Sequence, residues 1–306
     1  MHSRASLLRS VNHRQWWAPA FLALSAACGN GPARSQPPKP DAESADSGPA
    51  DPCAGGTSVV PNGATSVEDY GGVGFAAVDA VPIVSLATTL LVPATSPPQG
   101  ELAIWPGLQP DGPGGPVGVG VLQPVLSWGP TCGLAPDGGV GPLAPYASWY
   151  AFPVYTSSGQ ETQGALPDGG DMCGSPLTAY THGFINVMPG DTLKMTLDLM
   201  GTTWRQTITD NATGQSVALD VSLDGQAQTS ALFSIEVRRN APNPVYPTGP
   251  VQFTSTVITF SKPTTVESCQ PRGMGLTDTV STPVLSVDGT HCCVASMTLR
   301  TEKYSP

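Results

Sequence analysis

An all-β sandwich or barrel is the fold class that this 306-residue chain predicts. Short Val/Leu/Ile/Thr runs alternate apolar and polar residues with period two, the pattern of half-buried strands. Pro-Gly, Asp-Gly and Gly-Gly clusters, drawn from 35 Gly and 33 Pro, punctuate those runs. Helix-type patterning is nearly absent after the N-terminus, and charged residues make up only 12% of the chain. One such domain absorbs roughly 200–250 residues, so a single folded unit is expected over 72–306.

Residues 1–28 read as a secretory signal. Arg4, Arg9, His13 and Arg14 form a basic start, and Trp16 to Leu24 a short apolar stretch. Ser25-Ala-Ala-Cys28 follows and resembles a bacterial lipobox, with cleavage before Cys28 and lipidation of that cysteine. Residues 29–71 read as a tether, since Ser35-Gln-Pro-Pro-Lys-Pro-Asp41 and Asp46-Ser-Gly-Pro-Ala-Asp-Pro52 are too polar and Pro-rich to pack a core. The expected setting is export, as a lipoprotein or an extracellular protein, with membrane contact through the N-terminal lipid only.

The strands are expected in order. Ile83–Val92, Glu101–Trp105, Gly118–Trp128 and Ala147–Tyr155 come first, with Pro-Asp-Gly turns at 110, 136 and 167. Phe184–Met188 and Thr192–Leu199 follow around the Pro189-Gly-Asp191 turn. Trp204–Thr209 and Ser216–Leu223 read as a hairpin closed by Asp210-Asn-Ala-Thr-Gly214. Ala231–Arg238 and Val251–Phe260 complete the set, and a Cys-rich stretch closes the domain.

Beyond Cys28, six cysteines remain: Cys53, Cys132, Cys173, Cys269, Cys292 and Cys293. An even count in an exported chain implies disulfides. Cys132–Cys173 is a plausible local bridge. The vicinal pair Cys292-Cys293 is expected to bond outward to two different partners, such as Cys53 and Cys269. His182 and His291 are the histidines outside the signal, and no CxxC or HxxxH spacing exists, so neither metal nor cofactor is expected. The net charge of −10 includes no basic stripe to neutralise phosphates, which argues against nucleic acid.

Two strands hold the best lead to function. In Ala231–Arg238, Ala231, Phe233, Ile235 and Val237 share one face, and Ser234, Glu236 and Arg238 the other. In Gly118–Trp128, Gln123 shares a face with Val121, Val125 and Ser127. An amide and a carboxylate on half-buried strands would meet across one concave sheet. The plainer reading has Glu236 paired with Arg238 or Arg205 on an exposed face.

The ordered segments resemble the glutamic peptidase (eqolisin) family, a concanavalin A-like β-sandwich. They are Thr89-Leu-Leu-Val-Pro93, Ala103-Ile-Trp-Pro-Gly-Leu108, Val121-Leu-Gln123, Tyr146-Ala-Ser-Trp-Tyr150, Val187-Met-Pro-Gly-Asp-Thr-Leu-Lys194, Asp210-Asn-Ala-Thr-Gly-Gln215 and Ala231-Leu-Phe-Ser-Ile-Glu236. The resemblance implies a catalytic dyad of Gln123 and Glu236 that hydrolyses peptide bonds at acidic pH. It also implies groove positions at Trp105, Trp149, Gln109 and Ser127, with Trp128 in the core. Three supporting acids of the family are replaced here by Gln109, Ser127 and Ala151. The expected partner is a polypeptide substrate, and the protein is expected to be a monomer. The alternatives are a non-catalytic lipoprotein that binds peptide or glycan in the same cleft, and a structural lipoprotein with no ligand.

Overall fold

A computed structural model of the chain describes residues 51–62, 71–94, 102–110, 120–128, 149–158, 177–181, 183–237, 249–274 and 278–300. All belong to the unit Pro49–Pro306. The signal, the lipobox cysteine Cys28, the tether up to residue 50, the Cys132–Cys173 bridge and His182 lie outside the described residues.

The strands are β1 (Thr57–Ser58), β2 (Gly71–Ala76), β3 (Ile83–Leu91), β4 (Leu102–Gln109), β5 (Val121–Trp128), β6 (Trp149–Ser158), β7 (Leu177–Thr181) and β8 (Ile185–Val187). They continue as β9 (Thr192–Met200), β10 (Thr203–Asp210), β11 (Ser216–Ser222), β12 (Ser230–Val237), β13 (Val251–Phe260), β14 (Thr279–Val280), β15 (Val284–Leu285) and β16 (His291–Leu299). All pairings between them are antiparallel. One sheet has nine strands in the order β1-β15-β16-β13-β3-β9-β10-β11, with β14 on β16; the other has seven, in the order β2-β12-β4-β5-β6-β7, with β8 on β6. The chain is therefore an all-β antiparallel sandwich with disulfides, as expected.

The core lies between the sheets. Phe75, Ile104, Leu122, Leu126, Trp149 and Phe233 from the seven-stranded sheet meet Leu86, Leu197, Trp204, Ile208, Phe253 and Ile258 from the nine-stranded one. Phe233 sets its ring edge-on to both Phe75 and Phe253, at 6.1 and 5.2 Å between centroids. The alternation that marks these strands puts one residue in two into this layer.

The folded unit reaches further toward the N-terminus than residue 72. Thr57 and Ser58 pair with Leu285 and Val284, and Val59 is buried. Cys53 is bonded to Cys293, and Cys269 to Cys292, so the vicinal pair does bond outward to two partners. Residues 51–62 are thus part of the domain rather than tether, because a strand pairing and a disulfide anchor them. Disulfides of this kind belong to an oxidising compartment. Among the described residues, no helix is long and apolar enough to cross a membrane.

The Cys53–Cys293 bond spans 240 residues of sequence. Constraining so long a loop in the unfolded chain is worth about 2–5 kcal/mol. Replacing both cysteines by Ala is expected to lower Tm by roughly 4–20 °C for a domain of this size. Calorimetry of the full chain checks this; an unchanged Tm would mean that the N-terminal strap contributes nothing.

The β15–β16 turn is tied by Asp288. Its Oδ1 accepts hydrogen bonds from Ser286 Oγ at 2.6 Å, Thr290 Oγ1 at 2.8 Å and the Thr290 N–H at 3.0 Å. The Ser286 hydroxyl, then the two Thr290 donors, hold its carboxyl at about 2, below the usual 3.8. A depressed carboxyl stabilises the fold above its unfolded value, and that contribution fades as pH falls toward the folded value. Asp288→Asn is therefore expected to lower Tm at neutral pH, with the deficit closing between about pH 4 and pH 2. A deficit independent of pH in a thermal series would refute the assignment.

Candidate functional site

The outward face of the seven-stranded sheet carries a second apolar cluster, separate from the core. Trp105, Val125, Tyr150, Phe152 and Val154 form it, with Ala103, Val121, Phe184 and Leu232 packed alongside. Tyr150 stacks near-parallel with Phe152 at 5.8 Å and meets Phe184 edge-on at 6.0 Å. These residues are outward because β4, β5 and β6 alternate, and each contributes its second parity to this face.

The strand register arranges this face as a grid. Glu236 on β12 lies opposite Ala103 on β4, which lies opposite Ser127 on β5, which lies opposite Tyr150 on β6. In the next row Ser234 faces Trp105, and Val125 faces Phe152. One row further, Leu232 faces Gly107, and Gln123 faces Val154. Ser230 and Gln109 open the last row beside Val121. Between Ile104/Leu126 and Leu108/Leu122 the β4–β5 ladder is interrupted, and Pro106 and Pro124 occupy the same level there. Pro124 in turn faces Pro153 on β6. Proline has no N–H to give, so the ladder is weakened along this row, between the levels of Trp105 and Gln123.

Trp105 sits at the centre of the grid. Its Nε1–H donates to Glu236 Oε2 at 3.3 Å. The other end of the indole lies over Gly107, where an added Cβ would come within 3.0 Å of the ring and 2.8 Å of the Leu122 carbonyl. Glycine at 107 leaves room for the indole to span from Glu236 toward the row of Gln123. Glu236 is exposed and Gln123 half-buried, on the same face. They flank Trp105 on opposite sides, offset by four residues along the strands, or about 13 Å. A ligand lying across the indole would meet the carboxylate at one end and the amide at the other.

The remaining expected site residues divide. Gln109 is half-buried on the outward face, at the far end of the grid from Glu236. Ser127 shares the row of Glu236 but is buried, and its hydroxyl donates to the Leu102 carbonyl at 3.3 Å. Trp149 is not a groove residue. It is 1% exposed and points into the core, where it packs on Trp128 at 5.2 Å between centroids. Ala151 shares its face, so an acid there would enter the core rather than the site. Trp128 is core, as expected.

The outward aromatics of β6 are instead Tyr150 and Phe152. Sequence reasoning missed them because Trp149-Tyr-Ala-Phe-Pro-Val154 is apolar at both parities and gives no inside–outside signal. The alternative partner Arg205 is also settled: it forms a two-pronged ion pair with Asp220, at 2.7 Å for each contact, on the other sheet. Arg238 lies outside the described residues. The one group of potential metal ligands among the described residues is Asp51, Cys53 and Cys293, and both sulfurs are spent in a disulfide.

No protein-family model matches the chain, and no curated protein does. Among solved structures it is similar to scytalido-glutamic peptidase with a peptide-based transition state analog, at 17% identity and a TM-score of 0.43, over 76% of this chain and 99% of that one. It is similar to SCP-B, a member of the eqolisin family of peptidases in complex with the tripeptide Ala-Ile-His, at 16% identity and a TM-score of 0.41 over the same shares. A glycoside hydrolase family 16 endo-glucanase from Bacteroides ovatus matches at 10% identity and a TM-score of 0.32, over 78% of this chain and 84% of that one. Similarity of this degree assigns neither a family nor an activity.

Proposed function

We propose that this protein hydrolyses polypeptides on the outward face of the seven-stranded sheet, with Glu236 as general base and then general acid. The observation that carries this reading is the hydrogen bond from Trp105 Nε1–H to Glu236 Oε2. It holds one oxygen of an exposed carboxylate, and among the described residues no group holds the other, Oε1, which in this reading carries the water. The ordered sequence resemblance supports the same residue.

In this reading a peptide lies across Trp105. Glu236 takes a proton from water as its oxygen attacks the peptide carbonyl, and returns that proton to the leaving amine. The resemblance gives the oxyanion to the Gln123 side-chain N–H, but Gln123 lies four residues further along the strands, so in this reading its amide holds the peptide backbone at the far end of the indole and not the carbonyl attacked beside Glu236. The acidic pH optimum implied by the resemblance, and export with a lipid at Cys28, belong to the same proposal.

A second reading, a peptide- or glycan-binding face without catalysis, is favoured by one specific observation. The amide and the carboxylate are two rows apart on the outward face, and the neighbouring Ser127 hydroxyl donates to the Leu102 carbonyl. Incubating the full chain with a denatured protein from strongly acidic to neutral pH, with products mapped by mass, separates the two. New termini that accumulate with time support hydrolysis. Saturable peptide or glycan binding with intact ligand supports the second reading and rejects the first.

A further inference from the structure

The nine-stranded sheet ends at β11, and among the described residues no strand lies beyond it. This edge is seven residues long, Ser216-Val-Ala-Leu-Asp-Val-Ser222, with neither Pro, Lys nor Gly in it. Natural edges are commonly blunted by such residues, by bulges or by shortness. The opposite edge, β1, follows that rule with two residues. β11 does not, and its pairing with β10 runs without a bulge from Ser222 to Ser216.

The sequence of β11 is nearly a palindrome about Leu219. Antiparallel pairing of two copies about that residue sets Ser216 on Ser222, Val217 on Val221 and Leu219 on Leu219. The one unlike pair is Ala218 with Asp220. The two acids of such a pair therefore never face each other; each faces a methyl group. Each Asp220 also keeps its own ion pair with Arg205 at 2.7 Å. Ser216, Ala218, Asp220 and Ser222 are exposed, so this row is open to solvent. Leu219 and Val221 are buried and Val217 is half-buried on the sandwich side, which would run continuously from one copy into the next.

We propose that β11 is a self-recognition edge, on which a second copy of this chain pairs antiparallel about Leu219 across a two-fold axis. The contact is isologous, so it closes at a dimer rather than growing into a fibre. This replaces the monomer expected from the sequence and is independent of the peptidase reading. A single strand edge is a small interface compared with the ~800 Å² per partner of stable complexes, so the dimer forms reversibly at high protein concentration.

Sedimentation equilibrium of the full chain at neutral pH and low salt tests this, with Ala218→Asp and Ala218→Lys run beside it. Ala218 is exposed, so both variants are compatible with the fold. Ala218→Asp puts acid against acid twice per dimer and is expected to raise the dissociation constant about tenfold. Ala218→Lys puts a cation against each Asp220 and is expected to lower it several-fold, an effect that salt removes. A parent that stays monomeric up to its solubility limit overturns the proposal. So does a dimer whose dissociation constant neither substitution moves.

Discussion

Replacing Trp149 by Ala is expected to destabilise the protein by about 3–5 kcal/mol, the usual cost of emptying a large aromatic site in a core. For a domain of this size that is a Tm loss of roughly 6–20 °C. The indole is 1% exposed, and among the described residues its Nε1–H has no hydrogen-bond partner. The same is true of the indole N–H groups of Trp128 and Trp204. These rings act through volume and not through their polar atom. Trp149→Phe is therefore expected to cost much less than Trp149→Ala, since no hydrogen bond is lost and much of the volume stays. Equilibrium unfolding of the two variants distinguishes a core residue from a groove residue. If Trp149→Ala kept the parental stability and lost ligand binding instead, the inward placement of this ring would be wrong.

Trp149 also shows where the sequence stops being readable. Period-two alternation identifies a strand and tells which residues share a face, but it names the inner face only when one parity is polar. Thr192–Met200 is such a case: Leu193, Met195 and Leu197 are buried beneath Thr192, Lys194 and Thr196, and the expected bounds fall within one residue of those observed. β6 is apolar at both parities because its outer side is covered by a second cluster, so its orientation was open.

In Val251–Phe260 the strand is plain but its phase is not. Val251 and Phe253 are buried, and then Thr256, Ile258 and Phe260. The slip occurs at Ser255, which has a left-handed φ of 51°, beside a register shift against β3. The hydroxyls of Thr88 and Thr256 meet there at 2.7 Å and satisfy each other inside the core. β16 carries the same slip, with Cys292 and Val294 buried and then Met297 and Leu299. That is why its sequence reads as a Cys-rich tail and not as a central strand. β2 and β7 were also missed: glycines thin the first, and the second is a short strand at the sheet's end.

The site was partly legible for a related reason. Parity gives the strand-mates of Gln123 and of Glu236; that the two faces are one side of a single sheet is set by the strand order, and the structure places both outward. The distance between them depends on register through a third strand, β4, which no local pattern encodes. That strand inserts Trp105 between them and ties its indole to the carboxylate.

Glu236→Gln is expected to abolish hydrolysis while leaving the fold intact. The amide has the shape of the carboxylate and still accepts the Trp105 N–H through its oxygen, but it cannot take a proton from water. Loss of a positioned general base costs about 10²–10⁴ in rate. Because residue 236 is exposed, its Tm is expected to change by less than about 0.5 kcal/mol would produce.

The most direct measurement is the rate at which the full chain and its Glu236→Gln variant cut a denatured protein under acidic conditions, with both shown to be folded by near-UV circular dichroism. A parent that cuts and a variant that does not would establish Glu236 as the residue that moves the proton. A variant that cuts as fast as the parent, or two folded proteins that do not cut at all, would contradict hydrolysis at this site.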